Sequence, residues 1–283
     1  MSSIHCESPG HIPAPLVSGA VRVRHILFLY VAIISVAGVM GMKLGSGVPP
    51  EWRSAWQSVI WGTVEALLIA PIALIVPELR RSIPVLYAPS RSPLTAGDCI
   101  LFVALMITLV LGMNRTLVVF PLLHWRPDLA AFMGYSQHVG IPGATLMLLS
   151  GVTGGILAPF AEELFFRGYL QNLWHHRWGL WPAIALSAVF FGLGHIEGAV
   201  YATLAGVFFS LIYVRTGSLW PGTLLHGLYN IVGMLLGSFF GRVFFEKGPD
   251  DFASLSHWIP ELVLTAAFFP LLYLFWRRFR PAP

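Results

Sequence analysis

Charge is scarce in this chain of 283 residues: Asp, Glu, Lys and Arg make up 11% of it, against 56% hydrophobic residues. Mean hydropathy is +0.74. Soluble domains carry about a quarter charged residues and under half apolar ones, so a water-soluble globular protein is excluded. Cysteine is nearly missing. Cys6 and Cys99 are too few for a disulfide framework and lack metal-site spacing. No His-Glu-x-x-His zinc motif and no Gly-x-Ser-x-Gly nucleophile elbow occurs. The aspartates Asp98, Asp128, Asp250 and Asp251 fall in loops or at a span edge, which excludes an intramembrane aspartate pair. A basic excess exists, 17 Lys and Arg against 13 Asp and Glu. It is scattered through short segments rather than gathered in one patch, so nucleic acid is not a partner.

What the chain has is long apolar runs. A bilayer-spanning helix needs about 20 apolar residues, and continuous runs exclude a β-barrel, whose strands alternate. The fold class expected is therefore all-α and polytopic, with about eight transmembrane helices near 25–43, 57–77, 99–120, 141–160 (continuing as helix to about 174), 180–196, 198–214, 219–240 and 259–276. Residues 1–21, with Pro9, Pro13 and Pro15, read as a mobile cytoplasmic tail. Within it His5, Cys6, Glu7 and His11 could bind a metal, or simply belong to a disordered tail. Residues 22–283 read as a single membrane-embedded domain, the first run being an uncleaved helix rather than a signal peptide. With the N-terminus inside, the inner side collects Arg22, Arg24, Arg80, Arg81, Arg91, Arg177, Arg215, Arg277, Arg278 and Arg280. The positive-inside rule then places both termini in the cytoplasm of a cell with this protein in its inner membrane.

A charge at the bilayer centre costs about 2.5–3.5 kcal/mol on insertion scales, so ionisable residues inside the spans point to function. The densest group is Glu162-Glu163-Leu164-Phe165-Phe166-Arg167, placed at the inner end of the fourth span. Residues four apart on a helix lie within about 40° of each other, so Glu163 and Arg167 can pair. Glu162 lies about 140° from Arg167 and can turn into a cavity, as a base would. The alternative is a charged helix end at the lipid headgroups. Phe191 and His195 share a face of the fifth span, with Gly192 and Gly194 permitting close approach. His226 and Asn230 share a face of the seventh. His195 could instead be a capping histidine, and His226 and Asn230 could join helices. Glu65, Asn114 and Arg115 read as packing or gating groups, Glu197 as a loop acid able to orient His195, and His175 and His176 as part of an interfacial belt beside Trp174 and Trp178. If the fifth span starts inside near Leu180, a rise of 1.5 Å per residue sets His195 about 22 Å deep, beyond Glu162.

Glu162-Glu163-x-x-x-Arg167, Phe191-x-x-x-His195 and His226-x-x-x-Asn230 resemble, in order and spacing, the three motifs of the CAAX-protease and bacteriocin-processing (CPBP) family, which contains type II CAAX prenyl endopeptidases of the glutamic intramembrane class. The motif-bearing core is about 141–240. The resemblance implies an eight-helix intramembrane endopeptidase with helices around a catalytic chamber. It makes Glu162 the general base for water, His195 a residue that helps hold that water, and His226 and Asn230 the oxyanion donors. Glu163 and Arg167 would fix the helix and tune Glu162. No cofactor is implied, although Glu162, His195 and His226 would also make a legitimate zinc set. The expected partners are the lipid bilayer and a membrane-associated protein or peptide substrate, prenylated or C-terminally anchored. Rival classes are a non-enzymatic bacteriocin-immunity or binding protein of the same fold, and a small transporter. The concentration of polar motifs within 162–230 speaks against the two matched halves of a transporter.

Overall fold

A computed structural model of the chain describes residues 77–90, 92–132, 144–195, 198–244 and 255–281, together with scattered positions between 28 and 67. The tail with His5, Cys6, Glu7 and His11, the residues Glu65 and Glu197, and much of the first two expected spans lie outside the described residues. Among the described residues there are helices and no strand. In chain order they are α1 (Pro77–Leu86), α2 (Ala96–Trp125), α3 (Pro127–Phe132), α4 (Ala144–Trp178), α5 (Leu180–Gly194), α6 (Ala199–Thr216), α7 (Leu219–Phe244) and α8 (Ile259–Phe279). Four helices, α2, α4, α6 and the one ending at Phe279, are long and apolar enough to cross a bilayer. The protein is an all-α membrane protein.

Helix α2 begins with a capping box: Asp98 N–H donates to Thr95 Oγ1 (3.1 Å) and Thr95 N–H to Asp98 Oδ2 (2.8 Å), satisfying two donors that a helix start leaves orphaned. The same carboxylate accepts from Arg278 at 2.8 and 3.0 Å, which fastens the start of α2 to the end of α8. Toward the opposite end, Arg115 reaches the fully buried Glu261 at 3.5 Å and Phe120 meets Trp258 edge-on at 4.7 Å. Helices α2 and α8 are thus an antiparallel pair, and Arg115 is explained as a packing group with an ionic partner.

Gly179, at φ +84°, makes the turn from α4 into α5 in a backbone region that L side chains avoid. Across this hairpin Ser187 Oγ donates to the carbonyl of Phe166 at 3.0 Å. Counting outward from that contact sets Phe191 opposite Glu162 and His195 about one turn, roughly 6 Å, further on. The expected depth difference is corrected here: Glu162 lies near the middle of the 35-residue α4, and His195 is only about one turn further along. The helix expected to continue to about 174 runs to Trp178, and the polar residues Glu162, Glu163, Arg167 and Gln171 on it are buried.

Two close crossings lock the bundle. A Cβ on Gly206 of α6 would lie 2.9 Å from Ala188 Cα of α5. A Cβ on Gly227 of α7 would fall onto the carbonyl oxygen of Gly155 of α4. Small residues at such points let membrane helices approach backbone to backbone. Buried phenylalanines, including Phe102, Phe166, Phe191 and Phe209, fill the centre.

Candidate functional site

The site is built on the middle of α4. Glu162, Glu163 and Arg167 are all buried there, Glu163 and Arg167 completely. From Leu164 to Gln171 the helix widens to i→i+5 hydrogen bonding, a distortion that occurs often at functional sites. Arg167 Nη1 donates to Glu163 Oε1 at 3.1 Å and Nη2 to the carbonyl of Gly206 at 3.0 Å. Its guanidinium carbon also lies 4.5 Å from the ring centre of Phe191 and 5.2 Å from that of Phe209. A cation is thus held by a carboxylate, a helix carbonyl and two aromatic faces, which together offset its removal from water.

His226 joins this group from α7. Its Nδ1 lies 3.1 Å from Glu163 Oε1, and its Nε2 lies 3.6 Å from Glu162 Oε2. A carboxylate engaged by Arg167 only accepts, so Nδ1 donates. The imidazole stacks on Phe209 at 4.4 Å and meets Phe191 edge-on at 5.8 Å. Gly222, one turn before His226, lets α7 close on Glu163: a Cβ there would sit 3.3 Å from Glu163 Oε2.

His195 ends α5 as a half-exposed residue, its Nδ1 2.9 Å from the Phe191 carbonyl and its ring 4.6 Å from the Phe191 ring. Phe191 therefore touches His195, His226 and Arg167, and is the common wall of the first two motifs and the third. Asn230, one turn beyond His226, donates to the Gly154 carbonyl at 2.7 Å. One amide hydrogen is used in this way, and among the described residues the second has no acceptor. The structure thus brings Glu162, Glu163, Arg167 and His226 into direct contact, sets His195 against the same aromatic wall, and ties Asn230 to α4 two turns before Glu162. Among the described residues no three His, Cys, Asp or Glu side chains are gathered as metal ligands.

Sequence reasoning did not find Tyr87, which follows α1. Its ring stacks on Phe160 at 4.7 Å and its hydroxyl donates to the Phe160 carbonyl at 3.3 Å. Burial pushes its phenol well above the ordinary value. An aromatic residue just outside an apolar run carries no signal of such a contact. The carbonyl of Gly206 as an acceptor for Arg167 was equally hidden, since backbone partners leave no mark in residue type.

Residues 144–232, about a third of the chain, match a family model described as type II CAAX prenyl endopeptidase Rce1-like. All three motifs fall inside the match, which bears out the resemblance they carry. The chain is also 34% identical over 104 residues to an uncharacterized 24.3 kDa protein of Escherichia coli, the aligned part covering 34% of this chain and 46% of that protein. The chain thus spans under half the length of this curated relative. No solved structure matches.

Proposed function

We propose that the protein is an intramembrane glutamic endopeptidase that hydrolyses a peptide bond of a membrane-associated protein or peptide, with Glu162 as the base. The observation that carries this reading is the position of His226 between two adjacent buried carboxylates, 3.1 Å from Glu163 and 3.6 Å from Glu162. Glu163 has Arg167 and His226 as close partners, a structural arrangement. Glu162 faces a nitrogen just beyond hydrogen-bond length, the loose geometry common at catalytic groups before substrate binds.

In the proposed reaction Glu162 takes a proton from water, the water oxygen attacks the scissile carbonyl carbon, and the same proton passes to the leaving amine as the C–N bond breaks. His195, at the end of α5, helps hold the water. The second amide hydrogen of Asn230 serves the oxyanion, and His226, whose Nδ1 proton is committed to Glu163, adds a donor at Nε2 as the imidazolium, each such donor contributing about 3–4 kcal/mol where it is preorganised. Glu163 and Arg167 hold α4, α6 and α7 in register around Glu162. The similarity of 144–232 to the prenyl endopeptidase model supports a lipid-anchored or membrane-embedded peptide as substrate.

The proposed setting is the inner membrane with eight spans and both termini in the cytoplasm. Arg80, Arg81, Arg177, Arg215, Arg277 and Arg280 are all exposed and lie in the segments that the helix order brings to one side, which supports it. The test is incubation of purified protein in liposomes with prenylated and unprenylated membrane peptides, followed by mass spectrometry of the products. A single defined cleavage supports the reading, and intact peptides throughout would count against it.

A further inference from the structure

Helix α4 carries Glu163, Arg167, Gln171 and His175 at successive intervals of four residues. In an ordinary helix a four-residue step overshoots a full turn by about 40°. In the wider stretch from Leu164 to Gln171 it undershoots, and the drifts partly offset, so the four positions stay on one side of the helix. Helix α6 runs parallel beside them. Arg167 donates to the Gly206 carbonyl at 3.0 Å, and further along Asn172 Nδ2 donates to the Tyr213 hydroxyl at 2.9 Å.

Between these two rungs stand Gln171 on α4 and Ser210 on α6, both fully buried. Among the described residues Gln171 Nε2, Gln171 Oε1 and Ser210 Oγ have no hydrogen-bond partner, and neither does the buried Nδ1 of His175 one turn further on. Buried polar atoms are almost always satisfied. Placed between two α4–α6 contacts, a donor, an acceptor and a hydroxyl supply the two to four or so polar partners that a buried water uses. An apolar pair would have closed the seam without them.

We propose that Gln171 and Ser210 hold buried water in the α4–α6 seam, as the middle station of a polar file that runs from the Glu163–Arg167 pair to the Trp178 end of α4 and supplies the carboxylate site with water. The supply role rests on the proposed hydrolytic function, whereas the hydration of the seam does not.

Cysteine labelling separates the two. In a Cys6→Ser, Cys99→Ala background, Ser210→Cys and Ala183→Cys are compared for reaction with methanethiosulfonate ethylammonium in liposomes. Ala183 is fully buried and, by the Ser187 to Phe166 register, stands opposite Leu170, at the height of Gln171 but off the file. The reagent attacks thiolate, which forms only where water solvates it. Ser210→Cys should react at least about tenfold faster than Ala183→Cys, and equal rates would overturn the hydrated seam. The double variant Gln171→Leu with Ser210→Ala removes the orphaned groups together, a change that is close to neutral for stability. It should keep the parent melting temperature and KM while kcat falls about tenfold. An unchanged kcat overturns the supply role. Absence of cleavage by the parent itself overturns the hydrolytic reading instead, and the labelling rates still decide the hydrated seam.

Discussion

Glu163 and His226, 63 residues apart in sequence, are joined by a 3.1 Å hydrogen bond in the interior of the bundle. The oxygen that accepts it, Oε1, also accepts from Arg167, so one carboxylate binds α7 to α4 and, through the Arg167 contact with Gly206, to α6. The neighbouring carboxylate of Glu162 lies 3.6 Å from the other nitrogen of the same imidazole. Two identical side chains, adjacent in sequence, thereby have different surroundings.

Removing either end of the buried pair should show in stability before it shows in chemistry. Glu163→Gln leaves Arg167 without its carboxylate, and Arg167→Gln leaves Glu163 without its cation. A buried charge deprived of its partner destabilises by about 3–5 kcal/mol. Both variants are expected to melt several degrees below the parent in a thermal unfolding assay in detergent. Parent-like melting of both would mean that the pair does not hold the helices together.

The crossing of α4 and α7 gives a second, purely steric expectation. In Gly227→Ala the new methyl meets the Gly155 carbonyl, which is helix backbone and cannot rotate away. Overpacking of this kind costs about 1–3 kcal/mol, and it moves His226 and Asn230 away from α4. Gly233→Ala, where a Cβ meets nothing within 4 Å, should instead gain up to about 1 kcal/mol from helix propensity. Equal melting temperatures for the two variants would show that the helices are not in contact at Gly227.

Much of this arrangement was legible in the sequence, for physical reasons that also mark where legibility stopped. The apolar runs near 180–196 and 198–214 located α5 and α6 to within about two residues, and in the structure Gly179 and Gly217, both at positive φ, end the helices that precede them. The four-residue spacing of Glu163 and Arg167 foretold their contact. The continuation of α4 to about 174 was legible and the helix runs to Trp178, but the burial of Arg167, Gln171 and Asn172 was not, because it depends on α5 and α6 covering them. Contacts between distant segments were not legible at all: nothing local in Glu261 marks it as the partner of Arg115, and nothing in Phe191 marks it as the wall shared by His195, His226 and Arg167.

The two ion pairs that join α2 to α8 should differ in weight. Arg115 and Glu261 are buried, whereas Arg278 is 31% exposed beside Asp98. Arg115→Gln strands Glu261 and is expected to cost about 3–5 kcal/mol. Arg278→Gln leaves Asp98 its capping-box hydrogen bonds from Thr95 and opens the place of a partly exposed guanidinium to water, so it should cost less, about 1 kcal/mol. Thermal unfolding of the two single variants ranks them, and the reverse order would contradict the assigned burial.

A third pair, Arg126 with Asp128 between α2 and α3, sits in solvent, and the Arg126 hydrogen bonds pull the Asp128 carboxyl down to about 2. A depressed carboxylate contributes stability above its ordinary value of 3.8 and loses it as pH falls toward 2. Solvent and salt screen so exposed a pair. Asp128→Asn should therefore match the parent in melting temperature at pH 7. A clear loss there would mean that the pair anchors the α2–α3 corner.

The assignment of Glu162 as the base is tested most directly by the initial rate of peptide cleavage in liposomes for Glu162→Gln, measured by mass spectrometry beside the parent at matched folded protein. Glutamine keeps the shape and the hydrogen bonding of the side chain but cannot take a proton from water. The expected result is a parent-like melting temperature with cleavage reduced by at least about a hundredfold, the scale of lost general-base catalysis. Substantial turnover by a folded Glu162→Gln protein would contradict the assignment outright.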